Sequence, residues 1–253
     1  MRLTDFKVLT FDCYGTLIDW EGGIWTALQP LLAQGGLDLG RDQVLETFAK
    51  HESAQEAATP GLIYPALLTT VHRQLSEHWG LETTPAMDAN FGASVPDWPA
   101  FADSTRALST LKRHFKLVIL SNVDGNGIVA SNRRLVVEFD AIYTAQDIGS
   151  YKPTHGNFTY LLEHLKADLG LDKGDILHTA QSLFHDHAPA QEIGLATCWI
   201  GSFCPDKVRS VLAIPERIEI IELMVLGCPA DKKPKASREP LENIACFDKW
   251  RFG

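Results

Sequence analysis

Short apolar segments alternate with helical patterns along most of this chain, and that alternation constrains the fold more than any other feature. The short segments are rich in strand-forming residues and end at turn-forming or polar positions. The predicted strands are residues 8–11, 117–120, 141–144, 176–179 and 196–200. Strands that alternate with helices form parallel sheets covered on both faces. The sequence therefore predicts a doubly wound α/β core.

A long segment between the first two predicted strands has helical rather than strand spacing. Within residues 24–79, Leu67, Val71 and Leu75 fall on one helical face, and Pro60 interrupts the pattern before them. The insertion predicts a helical cap that follows the first strand. The predicted domains are an α/β core at 1–15 and 100–200, a cap at 16–99 and an atypical C-terminal extension at 201–253.

The composition argues against several classes of partner. The chain has 32 acidic and 23 basic residues, and its net charge of -9 repels nucleic acid and anionic lipid. Five widely spaced cysteines form no C-x-x-C pair, which indicates neither a disulfide framework nor a thiolate zinc site. No signal-like leader and no run long enough to span a bilayer are seen. We therefore expect a cytoplasmic protein with no membrane or nucleic-acid partner.

Polar residues suited to chemistry follow the ends of the predicted strands. They are Asp12, Ser121, Asn122, Lys152 and Asp186. In a parallel sheet these ends meet at one edge, where ligands bind. Each residue also has an ordinary structural interpretation, since aspartate caps helices and serine and asparagine favour turns.

These residues, in the motifs FDCYGTL, Ser121-Asn122, Lys152-Pro153 and Asp186, resemble the haloacid dehalogenase superfamily, in particular its type II 2-haloacid dehalogenases. The resemblance covers roughly residues 3–200. Phosphatases of that superfamily carry a second aspartate two residues after the nucleophile, where this chain has Tyr14. The resemblance implies a Rossmann-like core, a hydrolase that cleaves a carbon–halogen bond of a small 2-haloalkanoic acid, no cofactor or metal, and a possible homodimer.

The resemblance also implies a role for each catalytic residue. Asp12 would attack an sp³ carbon and form an ester intermediate. Thr16 and Lys152 would hydrogen-bond or neutralise Asp12, with Lys152 lowering its pKa. Asp186 would orient or deprotonate the water that cleaves the ester.

Five further residues are candidates for contact with a small carboxylate substrate. Ser121 and Asn122 would hold the substrate carboxylate or the departing group. Tyr14 and Trp20 are candidates to line the pocket, and His185 would position Asp186 or contact substrate. A metal site that uses the histidines near Asp186 is disfavoured, because residues two apart do not share a helical face.

Three positions depart from the family pattern. The arginine that cradles the halide in relatives would fall near Ala49, with Lys50 and Arg41 as imperfect substitutes. The tyrosine six residues after the lysine is Phe158 here. The family's S-S-N before the last aspartate is Gln-Ser-Leu at 181–183, so part of the network that holds the water must be rebuilt.

These departures leave two alternatives open. A nucleophilic carboxylate could instead open a strained ring, such as an azetidine- or epoxide-carboxylate, and His185 or Tyr14 would then donate the proton that the departing atom needs. A catalytically silent protein that binds a small carboxylate is the second alternative. The joint presence of Asp12, Lys152 and Asp186 disfavours it.

The chain beyond residue 200 resembles a different family. From a junction near Gly201 it is similar to the C-terminal tail of FMN-dependent nitroreductases. It has none of that family's N-terminal flavin-phosphate residues, so we expect no FMN. The apolar run 218–226 is a candidate final strand, and 232–240 a candidate exposed arm.

Overall fold

The computed structural model describes residues 3–200. The strands are β1 (Val8–Phe11), β2 (Lys116–Ser121), β3 (Ala141–Thr144), β4 (Ile176–Ala180) and β5 (Ala196–Trp199). The α-helices are α1 (Trp20–Gly35), α2 (Arg41–Ala58), α3 (Tyr64–His78), α4 (Pro85–Gly92), α5 (Ser104–Leu111), α6 (Gly125–Leu135), α7 (Ala145–Ile148), α8 (His155–Leu169) and α9 (Ala188–Glu192). A π-helical turn, Leu183–His187, precedes α9.

The five strands form one parallel sheet in the order β3-β2-β1-β4-β5. Leu9 of β1 pairs with Leu117 on one side and Leu177 on the other. All of β1 is buried, as expected for a central strand with both faces covered. The predicted doubly wound core is therefore confirmed. Because the strand order reverses at β1, a crevice opens at the carboxyl ends of β1 and β4.

Helices α1 to α4 lie between β1 and β2, which confirms the predicted helical insertion. Their apolar residues are spaced at helical intervals, and Leu67, Val71 and Leu75 of α3 are fully buried. One continuous cluster of buried residues includes these leucines and Phe11 of the sheet. The cap and the core therefore share one hydrophobic interior, and the exact domain boundaries stay predictions.

Several sequence-based expectations are not addressed by this fold. The junction near Gly201, the candidate strand at 218–226, the arm at 232–240 and the resemblance to nitroreductase tails lie outside the described residues. None of the helices within 3–200 is long and apolar enough to cross a membrane. The cytoplasmic location and the homodimer stay predictions.

Candidate active site

Asp12 lies directly after β1, at the carboxyl end of the central strand. Its amide donates to the Thr179 carbonyl of β4 (3.1 Å), which holds its backbone at the crevice. The Thr16 hydroxyl donates to Asp12 Oδ2 at 2.8 Å. The chain can return to make this contact because Gly15 has a φ of 92°, which side-chain-bearing residues rarely adopt. The motif thus places a buried carboxylate at the end of β1, and Thr16 of the same loop holds one of its oxygens.

Lys152 is the cation of the site, and it is only 1% exposed. Its Nζ donates to Asp12 Oδ1 at 2.8 Å, to Asp186 Oδ1 at 2.6 Å and to the Leu120 carbonyl at 3.1 Å. An ammonium has three donors, so these contacts use all of them. The lysine therefore bridges the two carboxylates in a fixed position.

Asp186 lies in the π-helical turn and is held through one of its two oxygens. Oδ1 accepts from Lys152 and from His178 Nε2 at 3.0 Å, and His178 Nδ1 is 2.9 Å from the Thr10 hydroxyl. A carboxylate only accepts, so Nε2 carries a proton and donates it to Asp186. Asp186 Oδ2 is buried and has no partner among the described residues. One oxygen is therefore available to accept from a bound water.

The three ionisable groups affect one another's pKa. Burial and the neighbouring Asp186 raise the pKa of Asp12 above its ordinary value, and Lys152 and Thr16 act against that rise. Although burial opposes it, Lys152 and His178 hold the pKa of Asp186 at about 2. Against its own burial, the two carboxylates raise the pKa of Lys152. Lys152 thus lowers the pKa of Asp12 as expected, but burial has the larger effect and the net shift of that pKa is upward.

Asn122 connects the lysine to the cap. Its Oδ1 accepts from the Lys152 amide at 2.7 Å, and its Nδ2 donates to the Lys152 carbonyl at 3.2 Å and to Glu56 Oε1 at 3.1 Å. The Ser121 hydroxyl accepts from the Val123 amide at 3.2 Å. Asn122 thus holds the backbone of Lys152, and Ser121 holds the turn that follows β2. The predicted contact of both residues with substrate stays a prediction.

Tyr14 and Trp20 occupy different surroundings. The Tyr14 hydroxyl lies 2.8 Å from Ser131 Oγ. Burial raises its pKa above the ordinary value, so this hydroxyl keeps its proton. Trp20 packs edge-on against Phe48 of α2. Trp20 therefore belongs to the cap side of the site, whereas the Tyr14 hydroxyl is engaged with α6.

Two buried glutamates on α2 were missed by the sequence analysis. Glu52 Oε1 accepts from the Tyr64 hydroxyl at 2.5 Å, and Glu56 Oε2 lies 3.8 Å from His185 Nε2. Burial raises the pKa of Glu52 to about 7, and burial together with Glu52 raises that of Glu56 to about 9. A usable signal existed, because Phe48, Glu52 and Glu56 are spaced four apart and so share a helical face.

The three departures from the family pattern have clear structural outcomes. Arg41 lies on the surface 3.7 Å from Glu21, and Lys50 is exposed, so neither faces the buried carboxylates. Phe158 is fully buried edge-on against His178. The Gln181 amide donates to the Thr16 hydroxyl at 3.0 Å, so this segment supports the Asp12 loop through its backbone.

The histidines near Asp186 point to separate partners. His178 binds Asp186, His185 lies beside Ser182 and Glu56, and the His187 ring hydrogen-bonds the Ala180 carbonyl. Within residues 3–200 no three histidine, cysteine or acidic side chains are grouped to hold a metal ion. Oδ1 of Asp12 and of Asp186 already accept from Lys152. The ammonium therefore already bridges one oxygen of each carboxylate.

No protein-family model and no curated protein matches this sequence. Solved structures do. The L-2-haloacid dehalogenase from Xanthobacter autotrophicus with chloropropionic acid covalently bound has a TM-score of 0.66 at 15% identity, over 85% of each chain. The defluorinating L-2-haloacid dehalogenase Rha0230 has a TM-score of 0.66 at 18% identity, over 86% of this chain and 88% of its own.

A structure described as that of a HAD-hydrolase is also similar. The HAD-hydrolase YfnB from Bacillus subtilis, in a structure bound to magnesium, has a TM-score of 0.64 at 20% identity, over 83% of this chain and 99% of its own. At such identities the likeness establishes the fold, which is that of haloacid dehalogenase-like proteins.

Proposed function

We propose that this protein is a hydrolase that cleaves the carbon–halogen bond of a small 2-haloalkanoic acid through an ester on Asp12. The observation that carries the proposal is the ammonium of Lys152, which holds Asp12 and Asp186 side by side at the carboxyl end of β1. One carboxylate suits attack on carbon, and the other suits activation of water. The fold shared with 2-haloacid dehalogenases supports this assignment.

In the first step the Asp12 carboxylate attacks the substrate carbon that bears the halogen. The new carbon–oxygen bond forms as the carbon–halogen bond breaks, the electron pair leaves with the halide, and the carbon is inverted. Thr16 and Lys152 hold the nucleophile in one orientation. Such positioning reduces the entropy lost in reaching the transition state.

In the second step a water attacks the ester carbonyl of Asp12. Asp186 Oδ2 is free to accept a hydrogen bond from that water, while Oδ1 stays anchored by Lys152 and His178. The ammonium of Lys152 neutralises negative charge as it develops on the carbonyl oxygen. Collapse releases a 2-hydroxy acid and restores the Asp12 carboxylate. The covalently bound chloropropionic acid in the Xanthobacter enzyme supports an intermediate of this type.

Trapping the ester tests the proposal. With 2-chloropropionate, Asp186→Asn is expected to accumulate a covalent adduct on the peptide that contains Asp12, because the amide cannot take a proton from water. Intact-protein and peptide mass spectrometry measure it. Asp12→Asn serves as the matched control and should form no adduct. An adduct on another residue, or halide release by Asp12→Asn, would contradict the assignment of the nucleophile.

His178 is expected to act as a positioning residue for Asp186. His178→Leu removes one donor to Oδ1, so the pKa of Asp186 should rise and the acid limb of the pH–rate profile should move to higher pH. The rate at neutral pH should fall about tenfold. His178→Gln can still donate and should restore most of both properties. A uniform loss of activity at every pH, with unchanged profile, would indicate a purely structural role.

Ring opening of a strained cyclic carboxylate by the same nucleophile is the second candidate. The cap side of the site favours this reaction, because the carboxyl group of Glu56 lies beside Asn122 and His185 there. A halide departs as a stable anion, whereas a ring oxygen or nitrogen needs a proton. The silent-binder alternative is disfavoured because two buried carboxylates on one ammonium cost stability that simple binding would not require.

A further inference from the structure

We propose that Trp199 of β5 is a positioning residue for the nucleophile, and that it acts on Asp12 through the backbone of Gln181 and the hydroxyl of Thr16. The inference rests on the proposed role of Asp12 in attacking the substrate carbon. Trp199 lies in the last strand of the sheet order β3-β2-β1-β4-β5, outside the motifs that carry the proposed chemistry.

The first support is the set of contacts that the Thr16 hydroxyl makes. This hydroxyl donates to Asp12 Oδ2 at 2.8 Å and accepts from the Gln181 amide at 3.0 Å. A hydroxyl has one proton to donate, and a backbone amide can only donate. The Gln181 amide therefore fixes the rotation of the hydroxyl so that its proton is directed to Asp12.

The second support is the contact that holds Gln181 itself. The indole Nε1 of Trp199 donates to the Gln181 carbonyl at 2.7 Å. Gln181 follows β4 directly, and the pairing of β4 with β5 runs to Ala180 and Trp199. The indole thus extends the connection between the two strands by one residue. The main chain of Gln181 is held by Trp199 through its carbonyl while its amide reaches Thr16.

The third support is the way in which residues 181–183 depart from the family pattern. The Gln181 side chain is exposed, so main-chain contacts hold this residue against the site. The ring of His187 also contacts this segment, but it hydrogen-bonds the carbonyl of Ala180, which the strand pairing already holds. Trp199 is therefore the side chain that contacts the residue bound to Thr16.

These contacts bear on the first chemical step. Lys152 holds Oδ1 of Asp12 and Thr16 holds Oδ2, so together they fix the plane of the attacking carboxylate. If Gln181 shifts, the Thr16 hydroxyl can rotate away and Oδ2 loses its donor. Small displacements of a reacting group slow a reaction strongly, by up to about 100-fold for 1 Å. Loss of the indole contact should therefore slow ester formation more than it weakens substrate binding.

Two matched variants test the proposal with 2-chloropropionate. Trp199→Phe keeps an aromatic ring and removes the N–H donor, and Trp79→Phe makes the same change in the cap at the end of α3. Single-turnover formation of the ester, followed by mass spectrometry, should be about tenfold slower in Trp199→Phe. Its KM should stay close to that of the wild type, and Trp79→Phe should match the wild type in both quantities.

A double variant tests the route through Thr16. Thr16→Val removes the hydroxyl and keeps a side chain of similar shape. If Trp199 acts through that hydroxyl, adding Trp199→Phe to Thr16→Val should slow ester formation by no more than about twofold further. Losses that multiply in the double variant would show that Trp199 acts by another route, and they would overturn the proposal.

A titration without substrate gives a readout that does not depend on turnover. The hydrogen bond from Thr16 lowers the pKa of Asp12, so Trp199→Phe should raise that pKa relative to the wild type. Carbon-13 NMR of the Asp12 carboxyl group measures the pKa, and Asp12→Asn assigns the signal. Trp79→Phe should leave the pKa unchanged. Slower ester formation in Trp199→Phe with no change in this pKa would indicate a purely structural role and would overturn the proposal.

Failure of this inference is distinguishable from failure of the proposed function. If the wild type turns over 2-chloropropionate through Asp12 and Trp199→Phe matches Trp79→Phe, the role of Trp199 is overturned and the nucleophile stands. If the wild type gives neither product nor a covalent adduct, the proposed function and this inference are both overturned. A slower reaction and a raised pKa in Trp199→Phe, both absent when Thr16 is already valine, support the inference.

Discussion

Lys152→Met is expected to lower the free energy of unfolding by about 3–5 kcal/mol at pH 7, because it removes the ammonium that bridges two buried carboxylates. Lys152 is 1% exposed and bonds to Asp12 and Asp186 at 2.8 and 2.6 Å. Methionine has a similar length and no charge, so the change leaves the carboxylates facing each other. Urea unfolding followed by circular dichroism measures the effect. Lys50→Met, at an exposed position of α2, is the matched control.

The pH dependence of this loss has a definite sign. In the variant the two carboxylates can take up protons, so its deficit should shrink as the pH falls from 7 to 5. In the wild type, the pKa of Asp186 is held at about 2, so its contribution to stability is present above its ordinary pKa and is lost as the pH falls towards 2. A deficit that stays constant from pH 7 to 5 would argue against uncompensated carboxylates as the cause.

Asp12→Asn is expected to lower turnover by at least about 10⁴-fold, because the amide is not a nucleophile and no ester forms. The folded state should be retained, since Lys152 keeps its contact with Asp186 and the asparagine oxygen can still accept a hydrogen bond. Steady-state kinetics with 2-chloropropionate and oxirane-2-carboxylate, together with urea unfolding, measure the two properties. Activity above about one per cent of wild type would contradict the role of Asp12 as the nucleophile.

Two variants separate chemistry from stability in this prediction. Asp42→Asn, an exposed change on α2, should leave both properties unaltered. The double variant Asp12→Asn/Lys152→Met should be more stable than Lys152→Met alone, because a single buried carboxylate then remains. Additive losses in the double variant would contradict direct coupling of Asp12 and Lys152.

Much of the fold could be predicted because its signals are local. The apolar run of β1 and the helical spacing of Leu67, Val71 and Leu75 depend only on neighbouring residues, and both elements formed as expected. One predicted boundary differs. Ser121, expected after the second strand, is its last residue because it pairs with Thr144 of β3.

The grouping of Asp12, Lys152 and Asp186 was also predictable. A parallel sheet brings the carboxyl ends of its strands to one edge whatever the details of packing, so residues after different strands become neighbours. The structure brings Asp12 and Asp186 onto the ammonium of Lys152, with Thr16 beside Asp12. The catalytic roles assigned to them stay predictions that the variants above test.

The amino-acid sequence by itself determined the α/β core, the helical insertion and the acidic residue at the end of β1. The spacing of apolar residues and the succession of strands and helices along the chain depend only on neighbouring residues. Only the tertiary structure decided that Glu56 of the cap reaches Asn122, that His178 lies under Asp186 and that burial governs the pKa of Asp12. These properties depend on which side chains meet across long sequence separations and on how much water they exclude. Neither quantity can be obtained from the spacing of residues.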